Sequence, residues 1–129
     1  MPGSEAVTRE IRVRVESFYV PGRSRPADEQ WFFAYRVRIS NESQEAVQLL
    51  SRHWVIIDGN GTEEHVRGPG VIGRQPRLAP GESHEYTSAC PLGTSFGTMH
   101  GTYQMVTDGG ERFDAEIAPF ALGEPYSIN

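Results

Sequence analysis

At 129 residues, 37% hydrophobic content and a formal charge of −5, the chain has the length of one domain around one core. All twelve basic residues are Arg and none adjoins another, so there is no basic stripe for a phosphate backbone, and nucleic acid is not an expected partner. No stretch approaches the roughly 18 apolar residues of a membrane helix, and the single cysteine, Cys90, cannot form an internal disulfide, so the expected setting is the cytoplasm, away from membranes.

Residues 1–10 carry Glu5, Arg9 and Glu10 and no apolar run, which reads as a flexible lead-in and not as a secretory signal. Ile11, Val13 and Val15 then alternate with Arg12, Arg14 and Glu16, the pattern of a half-buried strand. After a loop containing Pro21, Gly22 and Pro26, Trp31, Phe33, Tyr35, Val37 and Ile39 share one face of a second strand, and the run Trp31-Phe32-Phe33 spans both of its faces. A third strand over residues 47–57 is apolar on both faces near its end, which predicts a central position. Asp58-Gly59-Asn60-Gly61 signals a hairpin, and residues 62–67 return from it. With a loop of two or four residues, Ile57 would face Thr62 and Arg52 would face Arg67, a like-charge pair that needs relief from a carboxylate, a bulge or a bound anion.

A glycine-rich loop runs over residues 68–76, and Ala79-Pro80-Gly81-Glu82 makes a tight turn. Strands over residues 83–90, 97–107 and 111–117 complete the set. In the last hairpin, a three-residue loop at Asp108-Gly109-Gly110 sets Met105 opposite Phe113 and Tyr103 opposite Ala115, whereas a two-residue loop would set apolar against acidic side chains. Gly110 is then left-handed. Residues 123–129 form a tail. Gly (14) and Pro (9) make up about 18% of the chain, against roughly 12% in average usage, which agrees with many short strands. No 3.6-residue apolar period persists. The expected fold is therefore all-β: a single-domain antiparallel β-sandwich of seven or eight strands, fibronectin type III- or immunoglobulin-like.

VQLLSRHW at residues 47–54, GPGVIGRQP at 68–76, APGE at 79–82, YTSAC at 86–90, GTMHGTYQM at 97–105 and FAYRVRISN at 33–41 together resemble the bacterial ApaG family, over nearly everything from Val13 to Leu122. The resemblance implies a fibronectin type III-like sandwich that serves as a protein-interaction module, and a link to cobalt and magnesium efflux without established chemistry. The implied partner is a protein, and no cofactor is implied.

Gly68-x-Gly70-x-x-Gly73 matches the dinucleotide fingerprint by letters. Arg74-Gln75-Pro76 follows where that fingerprint needs a helix, so the glycines are expected to serve close packing and positive φ. An alternative function is retained for this loop: Gly68, Gly70 and Gly73 with Arg52, Arg67 and Arg74 would bind a small anion, a nucleotide phosphate or an acidic partner, conceivably with hydrolysis. His53, His65, His84 and His100 fall on four strands without paired spacing, so no metal site is expected. Cys90 has no base nearby in sequence and is expected to be a buried structural thiol. No catalytic triad is legible, and the expectation is a non-catalytic module.

Overall fold

The alternating apolar residues of the chain assemble into nine strands, here numbered in chain order: β1 (Gly3–Thr8), β2 (Ile11–Tyr19), β3 (Trp31–Asn41), β4 (Val47–Asp58), β5 (Glu63–Pro69), β6 (Arg77–Leu78), β7 (Ser83–Leu92), β8 (Phe96–Thr107) and β9 (Arg112–Gly123). The computed structural model describes residues 2–125, so most of the expected tail over 123–129 lies outside the described residues. All pairings between the strands are antiparallel. One sheet runs β1-β2-β3-β7 and the other β5-β4-β8-β9, with the two-residue β6 continuing along the same side of β4. The expected sandwich is present, and β1 and β6 are additions to its strand inventory. Residues 3–8, expected as a flexible lead-in, instead pair along β2 from Gly3↔Glu16 to Thr8↔Ile11.

The two inner faces interdigitate as their period of two requires. Ile11, Val13, Val15, Phe33, Val37 and Ile39 come from the first sheet, each 0–1% exposed. Trp54 is the hub between the sheets, with ring centroids 5.2 Å from Tyr35, 5.9 Å from Phe120 and 6.3 Å from Tyr103. The Trp31-Phe32-Phe33 run spans both faces as expected: Phe33 is fully buried, while Phe32 lies under the guanidinium of Arg23 at 4.4 Å.

Two bulges break the alternation. An extra residue in β4 shifts the register between Leu49 and Ser51, so inward positions change from Val47 and Leu49 to Arg52 and Trp54. Near the end of the strand the alternation is regular, with Trp54 and Ile56 inward and Val55 and Ile57 outward, and the apolar residues on both faces accompany the central position expected for it. A second bulge, opposite Met99 and Gly101 of β8, puts the extra residue in β9 beside Pro119, where a ladder can dispense with an N–H.

The last hairpin takes the expected register, Tyr103↔Ala115 and Met105↔Phe113, with Gly110 at φ +89. The Asp58 hairpin uses the same kind of three-residue loop. The Asp58 N–H donates to the Thr62 carbonyl at 3.1 Å, the Asn60 and Thr62 amides donate to Asp58 Oδ1, and Gly61 is left-handed. Ile57 therefore pairs with Glu63, Arg52 with Gly68 and His53 with Arg67. The expected Arg52–Arg67 opposition does not occur: one residue of slip puts the two side chains on opposite faces of the sheet. Opposed arginines do occur at Arg14↔Arg38. Carboxylates relieve them there, Glu5 on Arg14 at 2.7 Å and Glu85 on Arg38 at 3.7 Å.

Candidate functional site

The sandwich is closed along one side and open along the other. On the closed side, β1 and β2 meet β9 through serine and threonine. Ser4 Oγ donates to the Ala118 carbonyl at 2.7 Å, Ser17 Oγ donates to the Ala121 carbonyl at 2.6 Å, and Thr8 Oγ1 accepts from the Glu116 amide at 3.0 Å. On the other side β5 and β7 are both edge strands, and each carries a proline, Pro69 and Pro91, which limits uncontrolled pairing. Between these edges lie two adjoining cavities of about 270 and 340 Å³ that share Tyr35, Arg52, Trp54 and Ser88.

Arg52 is inward because of the β4 bulge. Its Nη1 donates to the carbonyls of Pro69 at 3.0 Å and Gly70 at 2.9 Å. The guanidinium lies so close to Gly68 that a Cβ there would stand 3.1–3.3 Å from it. Gly68 is thus the space that lets Arg52 fold against the edge strand. Burial raises the Tyr35 pKa, against a smaller lowering influence of the neighbouring Ser88. Burial likewise raises Tyr86 and, well above its ordinary value, Tyr103, whose hydroxyls share a short hydrogen bond. These phenols keep their protons at neutral pH. Burial, with Glu64 nearby, pushes the Cys90 thiol up to about 11; it is 3% exposed, the buried thiol that was expected.

The glycine loop is an excursion between β5 and β6 that overhangs the cleft. Val71 and Arg74 exchange both backbone hydrogen bonds, at 2.8 and 3.0 Å, leaving Ile72 and Gly73 as the two central residues, at φ +47 and +72. Positive φ at both is the signature of a type I′ turn. Gly70, at φ +60, would put a Cβ 2.2 Å from the Arg74 carbonyl oxygen, so this glycine is a steric requirement. Ile72 is 63% exposed and lines the second cavity. A β-branched residue at positive φ is a true outlier.

Of the six residues expected to form an anion site, Arg52 is brought against Gly68 and Gly70, and Arg52, Arg67 and Gly68 border one open depression on the sheet, but the three arginines do not point to a common centre. Arg52 faces inward over Gly68, and Arg67 lies on the outer face beside His53, whose pKa it helps to lower. Arg74 approaches His84. The amides of Gly70, Val71 and Arg74 are already given to the carbonyls of Leu50, Arg74 and Val71. No helix follows Gly73, so the dinucleotide geometry is absent.

On the outer face the true register brings together groups the sequence kept apart. His65 Nε2 is 2.7 Å from Glu63 Oε2, and His65 Nδ1 is 2.8 Å from His53 Nε2. With the Nε2 proton given to Glu63, Nδ1 accepts from the His53 Nε2–H, so a single tautomer satisfies the chain. Desolvation first, then Arg67 and the neighbouring histidines, lowers the His53 pKa. Among the described residues, no group of three or more His, Cys, Asp or Glu is placed to hold a metal, and no helix is long and apolar enough to cross a membrane.

The ApaG domain model matches residues 21–107. The chain is 52% identical over 126 residues to Protein ApaG of Anaeromyxobacter dehalogenans (strain 2CP-C), covering 98% of this chain and 99% of that one. It is 54% identical over 122 residues to Protein ApaG of Methylorubrum extorquens (strain PA1), covering 95% and 94%. The crystal structure of a Bordetella pertussis protein named ApaA superposes with a TM-score of 0.89 at 48% identity, covering 94% of this chain and 99% of that one. By sequence and by fold, the chain belongs to the ApaG family.

Proposed function

We propose that this chain is a non-catalytic interaction module of the cytoplasm, and that it receives a segment of a partner protein in the cleft between β5 and β7. The observation that carries this reading is Ile72. A large apolar side chain is held exposed, at the lip of a cavity, in a backbone conformation that costs about 1–2 kcal/mol for an L-residue with a Cβ. Strain of this kind is retained where it serves a site, and exposed apolar anchors beside pockets are where binding energy concentrates. The flanking strand edges supply unpaired backbone groups to an extended segment. On this reading the family's association with cobalt and magnesium is exercised through the bound partner.

The test is a photo-crosslinking amino acid placed in the native cell at Ile72 or at Glu116, an exposed position beside the closed seam. Adducts to one protein from position 72 and none from position 116 are expected. Adducts from 116 alone, or equally from both, would overturn the assignment of the open side.

A further inference from the structure

We infer that the partner segment is acidic, and that it sets one carboxylate on Arg52, flanked by apolar side chains. The inference rests on the interaction reading above and goes beyond it by naming the chemistry that the cleft selects.

Six arginines of the chain, Arg9, Arg12, Arg14, Arg36, Arg38 and Arg77, are paired with carboxylates. Arg52 turns inward, toward the cavity wall formed by Tyr35, Trp54 and Ser88, and makes no ion pair among the described residues. Its Nη1 is held by two carbonyls, while Nε and Nη2 make no hydrogen bond there. A guanidinium fixed in orientation with donors to spare is pre-organised for a planar carboxylate, because little further freedom is lost on binding. The Tyr35 and Ser88 hydroxyls, beside it in both cavities, can add to the same pole.

The charge balance selects the anion class. Arg52 is the one cation lining either cavity, and Glu64 lines the first. A single negative charge is neutralised by one guanidinium, whereas a phosphate near its dianionic form would bring excess charge beside Glu64 into a site of low dielectric. Around the arginine the lining is apolar: Trp54, Val66 and Met99 in one cavity, Val71 and Ile72 in the other. An aspartate or glutamate between apolar residues in an extended chain matches both features.

The test pans a random heptapeptide library displayed on phage against the full chain, then measures the best synthetic peptide by calorimetry. Enriched sequences should carry Asp or Glu beside an apolar residue. Arg52→Gln should weaken binding about tenfold or more, the scale of a lost charge-assisted hydrogen bond, and Arg52→Lys should restore part of it. Amidating the peptide's acid should cause a similar loss on the unaltered protein, a readout that does not depend on the variant folding. Acetate should compete weakly, and inorganic phosphate no better than acetate. Neutral peptides that bind through Ile72 and ignore Arg52 would overturn the carboxylate and leave the interaction module standing. Phosphate competing better than acetate would likewise overturn the carboxylate. Failure to enrich any peptide would overturn both.

Discussion

Two hairpin tips force ordinary residues to positive φ, and they differ in what is given in return. Between β1 and β2, Arg9 and Glu10 sit at φ +49 and +66. Arg9 pairs with Glu111 at 2.8 Å and lies over the Phe113 ring at 4.9 Å, so that tip is fastened to the second sheet. Between β5 and β6, Ile72 accepts the same strain and points largely into solvent. The first tip closes the sandwich and the second overhangs its open side. The first tip strains two ordinary residues and recovers an ion pair and a ring contact within the chain; the second strains Ile72 alone, and the proposed partner segment is what would supply its return.

The largest expected effect comes from breaking the second tip outright. Gly70→Val combines a forbidden φ with a clash against the Arg74 carbonyl, and should lower unfolding free energy by about 3 kcal/mol or more in urea. A mutant of unchanged stability would mean that the loop is not built as described.

On the closed side, Ser17→Ala should cost about 1–2 kcal/mol, because the hydroxyl is buried and its donor to Ala121 is lost, while leaving peptide binding untouched. Arg52→Gln should cost about 1 kcal/mol through the two loop carbonyls. Stabilisation, the outcome expected had Arg52 faced Arg67, would contradict the observed pairing.

The two sides should also part company with pH. His53 and His84 have folded pKa values below 6.5, from desolvation and then from Arg67 and Arg74 respectively. The unfolded chain therefore takes up their protons first, and stability should fall as pH drops below about 6.5. Near the closed side and the turn after β3, hydrogen bonds from Arg14, Arg9 and Arg12 hold Glu5, Glu111 and Glu42 below 4.5. Their contribution is intact above that value and is lost as pH falls beneath it. Urea midpoints from pH 7.5 to 3 should show two windows, and His84→Gln should make the upper one shallower, with His53 still contributing, and leave the lower one unchanged.

Much of this was legible from period two and turn chemistry. The strands, the core faces of β2 and β3, and the last hairpin followed from matching apolar positions. The Asp58 hairpin between β4 and β5 was missed by one residue. Beside the loop β4 is apolar on both faces, Trp54 and Ile56 on one and Val55 and Ile57 on the other, and β5 offers little apolar pattern to match, so apolar matching could not choose the loop length. That slip both created the apparent Arg52–Arg67 conflict and hid the His53–His65 pair. β1 went unread because its inward positions are small or polar: Ser4, Ala6 and Thr8 bond or pack across the seam without an apolar stripe. Ile72 left no trace, since positive φ at a β-branched residue contradicts every local preference.

Ile72→Asn separates strain from recognition in a single variant. Asn tolerates the left-handed region, so the variant should be more stable than the parent, by up to about 1 kcal/mol in urea unfolding. It should also bind the panned peptide, and form the partner adduct in cells, more weakly. A variant that is more stable and binds less places the strain in the service of recognition. A variant that is less stable, or that binds as well as the parent, would show that Ile72 serves the fold and that the open side is not the site.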